Sequence, residues 1–220
     1  MFKSSLSRLF LESNIEKILS ENTMQDALCL NLGCGVHGRY SELLNKYNVI
    51  GVDVEKAEEK QPWEYHQCDA KLLPFESSRF DIVVAIESFE HIEENKMAMK
   101  EVARTLKPGG LLLVTTPTIW TWLFEMGRHG PHYYSKSKLA QLVQDSGIEV
   151  KDIKSCGGLL FYMSNLIKSW ISPFGTRLFK NKWWNIIDTS LSPLYFLSIL
   201  VDKVLPFPPT NWVLHAKKPN

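Results

Sequence analysis

The residues best suited to chemistry near the start of this chain are three glycines and an aspartate. Gly33, Gly35 and Gly38 have the spacing GxGxxG and follow the apolar run 27–32. Glycines at this spacing allow a tight turn from a strand into a helix, and they let backbone N–H groups approach a ligand closely. Asp53 ends a second apolar run, where its carboxylate can accept two hydrogen bonds from a ribose diol. The pattern favours an adenosyl ligand, although the glycine loop alone would serve a dinucleotide equally well.

A second cluster of reactive side chains follows the apolar run 80–86. Glu87, Glu90 and His91 are spaced i, i+3, i+4, which on a helical turn places all three on one side. Two carboxylates and an imidazole so arranged could bind a divalent cation. The same residue types are common at the start of ordinary helices. We favour the helix-start interpretation and expect no metal, with Glu87, Glu90 and His91 as the residues to examine if one is required.

Three histidines are candidate general bases, because an imidazole can take a proton from an alcohol, phenol or amine near neutral pH. His91 belongs to the cluster above, whereas His129 and His132 lie in the segment 127–134 after the apolar run 111–116. Ligands of open α/β sheets bind at the carboxyl ends of the strands, where this segment must lie. The alternative is a loop in which these histidines only pack and form hydrogen bonds.

Alternating apolar and helical patterns predict the elements that hold these residues. The predicted strands are 27–32, 49–54, 64–69, 80–86, 111–116, 148–155 and 212–216, and the predicted helices are 1–22, 40–46, 92–106 and 137–146. A sharp turn is expected at 107–110. Continuous apolar runs such as 80–86 are typical of strands buried in a parallel sheet. The order predicts a single α/β domain over residues 1–220 with a doubly wound, mostly parallel, seven-stranded Rossmann-like sheet.

Composition narrows the class of protein. The formal net charge of +1 gives no general reason to expect binding to nucleic acid. The four cysteines, Cys29, Cys34, Cys68 and Cys156, form no CxxC pair, so neither a zinc site nor a disulfide framework is indicated. The first 22 residues lack the pattern of a signal peptide. A cytoplasmic protein is the expectation.

Five segments occur in the order typical of class I S-adenosylmethionine-dependent methyltransferases, and the chain resembles that family. The segments are LNLGCGVHG (30–38), GVDV (51–54), QCDAKLLPF (67–75), FDIVVAIESFEHI (80–92) and RTLKPGGLLLVTTP (104–117). The chain is methyltransferase type 11-like. Its ExxEH run is similar to that of ubiquinone-pathway O-methyltransferases, in which those residues are implicated in Mg²⁺ binding.

The resemblance implies that S-adenosylmethionine is the cofactor and that the glycine loop packs against its methionine portion. Asp53 would hold the ribose hydroxyls, Asp69 with Ala70 would meet the adenine, and Ile86 with Glu87 would line the methionyl end. The implied cofactor-binding residues are Gly33, Cys34, Gly35, Gly38, Asp53, Asp69, Ala70, Ile86 and Glu87.

Three of the residues in these motifs have a second interpretation or depart from the family pattern. Asp69 is equally suited to forming a turn with its own backbone. Cys34 is better explained as a small residue that fills the glycine loop than as a nucleophile. Asn31 stands where many relatives carry Asp or Glu, so it can orient the loop but offers no charge to the cofactor's ammonium group.

The last third of the chain differs from the rest in composition. Residues 151–220 contain nine Lys or Arg against three Asp, whereas the first 150 residues contain 16 basic against 21 acidic side chains. Two apolar runs, 159–171 and 191–205, are each interrupted by a charge and stay short of the roughly 20 residues that span a bilayer. We predict that 159–210 is a hydrophobic, basic, aromatic helical insertion before the last strand, overhanging the acceptor site.

This insertion could contact a membrane peripherally through 159–205 or line a pocket for a lipid-like acceptor. A helical cap on the sheet is the alternative. The leading hypothesis is methyl transfer to a small-molecule or lipid-type acceptor, with O-methylation preferred. A nicotinamide-dependent oxidoreductase, or a catalytically inactive methyltransferase-fold module that binds at a membrane, are the competing functions. Nucleic acid is not an expected partner.

Overall fold

The computed structural model describes residues 6–23, 25–38, 40–57, 60–122, 132–160, 162–163, 166–167, 193, 197, 201, 204 and 208–220. The strands in these residues are β1 (Leu28–Leu32), β2 (Asn48–Asp53), β3 (Glu64–Gln67), β4 (Phe80–Ile86), β5 (Leu106–Pro117), β6 (Glu149–Cys156) and β7 (Asn211–Lys217). The helices are α1 (Leu6–Asn22), α2 (Ser41–Leu44), α3 (Asn95–Thr105) and α4 (Lys136–Gln144), with 3₁₀ turns at Phe89–His91 and Ile119–Thr121.

The seven strands form one sheet in the order β3-β2-β1-β4-β5-β7-β6. Strands β1 to β5 pair in parallel, and β7 lies antiparallel between β5 and β6. The predicted doubly wound, mostly parallel, seven-stranded sheet is confirmed. The strand order starts at β1 and runs outward in both directions, so the carboxyl ends of β1 and β4 flank the point where the chain changes direction, which is where such sheets bind ligands.

Both faces of the sheet are covered, because the central strands are apolar on both sides. One face packs its strand residues, such as Val83 and Leu112, against α3 and α4. The other packs residues such as Ile82 and Leu113 against α1 and α2, where Ile15 and Leu44 are fully buried. Because both faces are buried, each strand is fixed in position along its own axis. The positions of the polar residues that follow the strands are therefore fixed as well.

The sequence predicted a sharp turn at 107–110 before the strand 111–116. This prediction was wrong, because β5 already begins at Leu106 and includes these four residues. Phe80 pairs with Leu106 and Ile82 pairs with Leu111, so residues 107–110 bulge within β5 opposite one residue of β4. Gly109 has a φ of +75°, which glycine adopts readily. Its N–H donates to the carbonyl of Lys218 over 2.8 Å. Hydrogen bonds to the C-terminal residues therefore keep the segment in the sheet.

The helix predicted at 40–46 is a single turn. Tyr40 has a φ of +69°, outside the helical region, and α2 ends at Leu44. Strand β2 already begins at Asn48, so the connection leaves room for one turn only. The glycine loop is thus followed by a bend and a short turn rather than directly by a long helix.

The insertion starts and ends at the same edge of the sheet as the candidate site. At this edge Asn211, the first residue of β7, pairs with Pro117 of β5 on one side and with Cys156 of β6 on the other. The last two strands of the chain are therefore paired with each other. Most of 159–210 lies outside the described residues, and the prediction that this segment is helical therefore concerns residues that the structure does not describe. In the described part of the chain, no helix is long and apolar enough to cross a membrane.

Candidate active site

A cavity of about 690 Å³ opens at the carboxyl ends of β1, β2 and β4. Its volume is within the roughly 300–1,000 Å³ of small-molecule sites. Eight of the nine residues predicted to bind a cofactor line it, and these are Gly33, Cys34, Gly35, Asp53, Asp69, Ala70, Ile86 and Glu87. The topology therefore brings together residues that are up to 54 positions apart in the sequence.

The glycine loop is fastened to the end of β2 by its own backbone. The N–H groups of Gly33 and Cys34 both donate to the carbonyl of Val52, over 2.9 and 3.1 Å. The N–H of Gly35 donates to Asp53 Oδ2 over 2.8 Å. Three consecutive amide hydrogens of the loop are therefore used within the protein. The first half of the loop therefore offers a ligand a tight wall rather than a set of open N–H donors.

Asp53 is placed so that both carboxylate oxygens are oriented by backbone. Its Oδ1 accepts the N–H of Glu55 over 3.1 Å, while Oδ2 accepts that of Gly35. A carboxylate oxygen has two lone pairs, so each still has acceptor capacity for a ligand hydroxyl. Asp53 thus joins β2 to the glycine loop and presents two fixed acceptors to the cavity.

Asp69 forms a turn with its own backbone and also lies in the wall of the cavity. Its Oδ1 accepts the N–H of Lys71 over 2.9 Å, which is the turn-forming contact, and it also lines the cavity. The Lys71 ammonium lies 3.5 Å from Asp69 Oδ2 and pairs with Glu94. Glu94, with a smaller effect of Asp69, raises the pKa of Lys71 above its usual value. The ion pairs tie the loop after β3 to the segment before α3 at the mouth of the cavity.

Glu87 occupies the end of β4 in an unusual backbone conformation. Its φ is +53°, a left-handed conformation that costs a non-glycine residue about 1–2 kcal/mol. Its N–H donates to the carbonyl and Oγ1 of Thr115, over 3.0 and 3.2 Å. Its Oε1 accepts a hydrogen bond from Asn211 Nδ2 over 2.7 Å. Strained backbone that is over-determined in this way is frequent at functional sites.

Three cavity features were missed by sequence reasoning. Ser88 is 8% exposed, lines the cavity, and its Oγ has no hydrogen-bond partner among the described residues. Lys71 lines the cavity mouth, and Asn211 reaches Glu87 from 124 positions away. No local spacing could have revealed Asn211, whereas Ser88, adjacent to Glu87, is a small polar residue that motif matching passes over.

Glu87, Glu90 and His91 do not share one face as their spacing suggested. The turn at Phe89–His91 is a 3₁₀ turn, and Glu87 precedes it with a positive φ. Glu90 is fully buried behind the cavity wall, whereas His91 is exposed and lines the cavity. In the part of the chain that the structure describes, no three His, Cys, Asp or Glu side chains approach as a metal-ligand set would.

The candidate bases are distributed unevenly around the site. His91 lines the cavity. His132 does not line it. The ring Nε2 of His132 lies 3.0 Å from the carbonyl oxygen of Glu93, and its backbone N–H donates to the carbonyl of Glu90. His129 lies outside the described residues. Of the two candidate bases whose positions are described, His91 is the one that lines the cavity.

Gly38 and Cys34 have packing roles. A Cβ at Gly38 would lie 2.5 Å from Pro62 Cδ, so this glycine lets the segment before β3 approach the loop, and it is the one predicted cofactor residue that does not line the cavity. Burial, followed by the charge of Asp53, raises the pKa of the Cys34 thiol to about 12. The thiol stays protonated and is a poor nucleophile.

Comparison with known proteins agrees with this geometry. Residues 30–114 match the methyltransferase domain family. A ubiquinone biosynthesis O-methyltransferase of Coxiella burnetii is 29% identical over 166 residues, covering 63% of this chain and 70% of that protein. The chain therefore contains a methyltransferase domain, at residues 30–114. The matched residues include most of β1 and β5 and all of β2, β3 and β4, and the ends of β1, β2 and β4 lie at the cavity.

Solved structures share the fold of this chain. The [4+2]-cyclase SpnF has a TM-score of 0.63 at 18% identity, over 94% of this chain and 80% of that one. Phosphoethanolamine N-methyltransferase 2 of Haemonchus contortus, in complex with S-adenosyl-L-methionine, has a TM-score of 0.58 at 20% identity, over 94% of this chain and 53% of that one. Because a cyclase and a methyltransferase share this fold, the acceptor has to be argued from the site.

Proposed function

We propose that the cavity binds S-adenosylmethionine and that the protein transfers its methyl group to the oxygen of a small, lipid-like acceptor. Asp53 would hold the ribose hydroxyls, Asp69 and Ala70 would meet the adenine, and the glycine loop with Ile86 and Glu87 would line the methionine portion. The bound cofactor supplies an electrophilic methyl group on a sulfonium. The protein has to hold the acceptor oxygen in line with that methyl group and exclude water.

The use of the glycine-loop amides within the protein is the observation that carries this proposal. A dinucleotide pyrophosphate is bound by free N–H groups at a helix N-terminus. Here the N–H groups of Gly33, Cys34 and Gly35 already donate to Val52 and Asp53. The described residues that line the cavity also include five carboxylates and one lysine. Such a lining disfavours a doubly anionic pyrophosphate and suits a cofactor that carries a sulfonium and an ammonium group.

Calorimetric titration tests the cofactor. We expect S-adenosylhomocysteine to bind with micromolar affinity and NAD to show no heat of binding at the same concentrations, because the N–H groups of Gly33, Cys34 and Gly35 already donate within the protein and are not available to a pyrophosphate. Comparable binding of both ligands would contradict the proposal. Binding of NAD alone would establish the oxidoreductase alternative.

The acceptor proposal rests on where exposed apolar side chains lie. Among the described residues, Ile119, Trp120 and Trp122 are 60%, 41% and 55% exposed and follow β5 at the edge that holds the cavity. Leu159 and Met163, at the start of the insertion, are also exposed. Together with the basic composition of 151–220, this apolar surface supports peripheral contact with an anionic membrane and delivery of a lipid-like acceptor. The similarity to an O-methyltransferase supports oxygen as the methylated atom.

Presentation of the acceptor in vesicles tests this proposal. We expect a long-chain alkylcatechol in phosphatidylglycerol vesicles to be methylated at least tenfold faster than one in phosphatidylcholine vesicles, since about 1 kcal/mol per basic residue favours the anionic surface. Transfer of a labelled methyl group from S-adenosylmethionine measures the rate. Replacing both Trp120 and Trp122 with alanine should lower the vesicle rate and leave the rate on a soluble catechol unchanged.

Two controls define the reaction. An alkylamine of the same chain length should be a poor acceptor, and its preferential methylation would show that the transfer is to nitrogen. Activity should persist in EDTA, because the described residues contain no metal-ligand cluster.

For the base, His91→Ala should lower kcat on the catechol more than His132→Ala does, since of these two only His91 lines the cavity.

A further inference from the structure

A second cavity lies at the edge of the sheet opposite the candidate active site. It has a volume of about 500 Å³ and is lined by the first residues of three parallel strands, Leu28 of β1, Asn48 of β2 and Glu64 of β3. The candidate active site is lined instead by residues at the carboxyl ends of β1, β2 and β4. The two cavities share no lining residue, so methyl transfer as proposed above does not use the second cavity.

Arg79 supplies a positive charge to this second cavity. Its guanidinium carbon lies 5.0 Å from the ring centroid of Phe75 and 5.7 Å from that of Phe80, and both rings are buried. In the described part of the chain, the guanidinium has neither a carboxylate partner nor a hydrogen bond. Aromatic rings attract a cation without neutralising it. An anion in the cavity would therefore meet a guanidinium that is held in place and whose N–H donors are not used.

The walls of the second cavity favour an aromatic ligand. Trp63 and Tyr47 are half-buried and line it, together with the aliphatic side chain of Leu44. A Cβ at Gly51 would lie 2.2 Å from Trp63 Nε1, so the glycine lets the indole lie directly against β2. The Tyr47 hydroxyl forms a hydrogen bond with that of Thr23 over 3.0 Å. Both aromatic side chains are therefore held before a ligand arrives, and such rings pack well against another aromatic ring.

Glu64 limits the charge that the second cavity accepts. Glu64 also lines it, and its Oε1 lies 2.7 Å from Nε2 of His66. One guanidinium balances the single charge of a carboxylate, whereas the second charge of a phosphate monoester would be repelled by Glu64. The lining therefore suits a monoanion.

We propose that the second cavity binds a small aromatic carboxylate. Arg79 pairs with the carboxylate, and Trp63 and Tyr47 pack against the ring. A guanidinium can donate two parallel hydrogen bonds to a carboxylate, which fixes the orientation of the ligand as well as its charge. The volume of the cavity is within the range of small-molecule sites. This site is additional to the one proposed for methyl transfer.

Calorimetric titration with three probes tests the proposal. The probes are 2-naphthoate, 2-naphthol, which has the same rings and is neutral at pH 7 as other phenols are, and acetate, which has the carboxylate alone. We expect 2-naphthoate to bind with a Kd of about 0.1–1 mM, as is usual for a ligand of roughly a dozen heavy atoms, and at least about tenfold more tightly than the other two. Equal binding of 2-naphthol would show that the charge is not recognised, and would overturn the proposal.

Two variants and a matched control assign the binding to Arg79. Arg79→Gln should weaken 2-naphthoate about tenfold, the effect of losing hydrogen bonds to a charged group, and leave 2-naphthol unchanged. Asn45→Asp, which adds a negative charge at an exposed residue of the same cavity, should also weaken 2-naphthoate alone. Lys100→Gln, which removes a positive charge from an exposed position of α3 outside both cavities, should have no effect. Equal losses for Arg79→Gln and Lys100→Gln would show an effect of net charge and contradict the proposal.

A competition experiment separates this site from the candidate active site. Saturating S-adenosylhomocysteine should leave the titration with 2-naphthoate unchanged, because the two cavities share no lining residue. Displacement of 2-naphthoate would place the probe in the other cavity and overturn the proposal. If the protein binds S-adenosylhomocysteine and not 2-naphthoate, the second site is wrong while the proposed function stands. Thermal unfolding of each variant shows whether a loss of binding reflects a loss of folded protein.

Discussion

Replacing Asp53 with asparagine is expected to raise the Kd for S-adenosylhomocysteine on the order of a hundredfold. Two hydrogen bonds from the ribose hydroxyls to a carboxylate are worth about 3 kcal/mol together. The asparagine amide would also place a donor against the N–H of Gly35 or Glu55, both of which donate to Asp53 now. Calorimetry measures the loss, and Asp152→Asn, on β6 outside the cavity, is the matched control.

A 2′-deoxy analogue separates the ribose contact from a general weakening of the site. The unchanged protein should bind this analogue much more weakly than S-adenosylhomocysteine, whereas Asp53→Asn should bind the two about equally. If Asp53→Asn still discriminates between them, the ribose is held by another residue. Asp53 would then only brace the glycine loop.

Replacing Gly33 with alanine is expected to destabilise the fold and abolish cofactor binding. Gly33 has a φ of +71°, and a Cβ there would lie 2.4 Å from Ser88 Cβ. The left-handed conformation costs about 1–2 kcal/mol, and the clash with Ser88 adds to it for a total of about 3 kcal/mol or more. Urea unfolding measures this loss of stability.

Gly35 provides the matched comparison for Gly33. It has the same φ of +71°, but a Cβ there would meet no atom of the described residues within 4 Å. Gly35→Ala should therefore lower the free energy of unfolding by only about 1 kcal/mol, while the methyl group takes space from the cavity and weakens S-adenosylhomocysteine binding. Equal stability of the two variants would contradict the assigned contact between Gly33 and Ser88.

The strands and the residues that line the cavity were the part of the structure that the sequence predicted best. The strands that bury both faces, such as 80–86, have a continuous apolar pattern that no other element shares, and the residues that follow them reach one edge by topology alone. Eight of the nine predicted cofactor residues accordingly line one cavity. Gly38 does not line the cavity. It packs against Pro62 in the connection before β3, and the spacing of the glycines does not predict the path of that connection.

The errors arose where hydrogen bonds between distant segments decide the local conformation. Residues 107–110 have a turn sequence but are held in the sheet by Lys218. Glu87, Glu90 and His91 have helical spacing, yet a positive φ at Glu87 and a 3₁₀ turn point Glu90 into the core and His91 toward solvent. The partner of Glu87 is Asn211, and a contact across 124 residues leaves no trace in a local pattern.

The pairing of Cys156 with Asn211 implies that the insertion could be exchanged for another segment without changing the sheet. The residues that flank the insertion are neighbours in β6 and β7. Thr210 holds them together by donating its N–H and its hydroxyl to the carbonyl of Cys156, each over 3.0 Å. Each doubling of a loop that starts and ends at adjacent points costs only about 0.6 kcal/mol in closure entropy. Segments of very different length could thus be inserted between Cys156 and Asn211 while β6 and β7 stay paired.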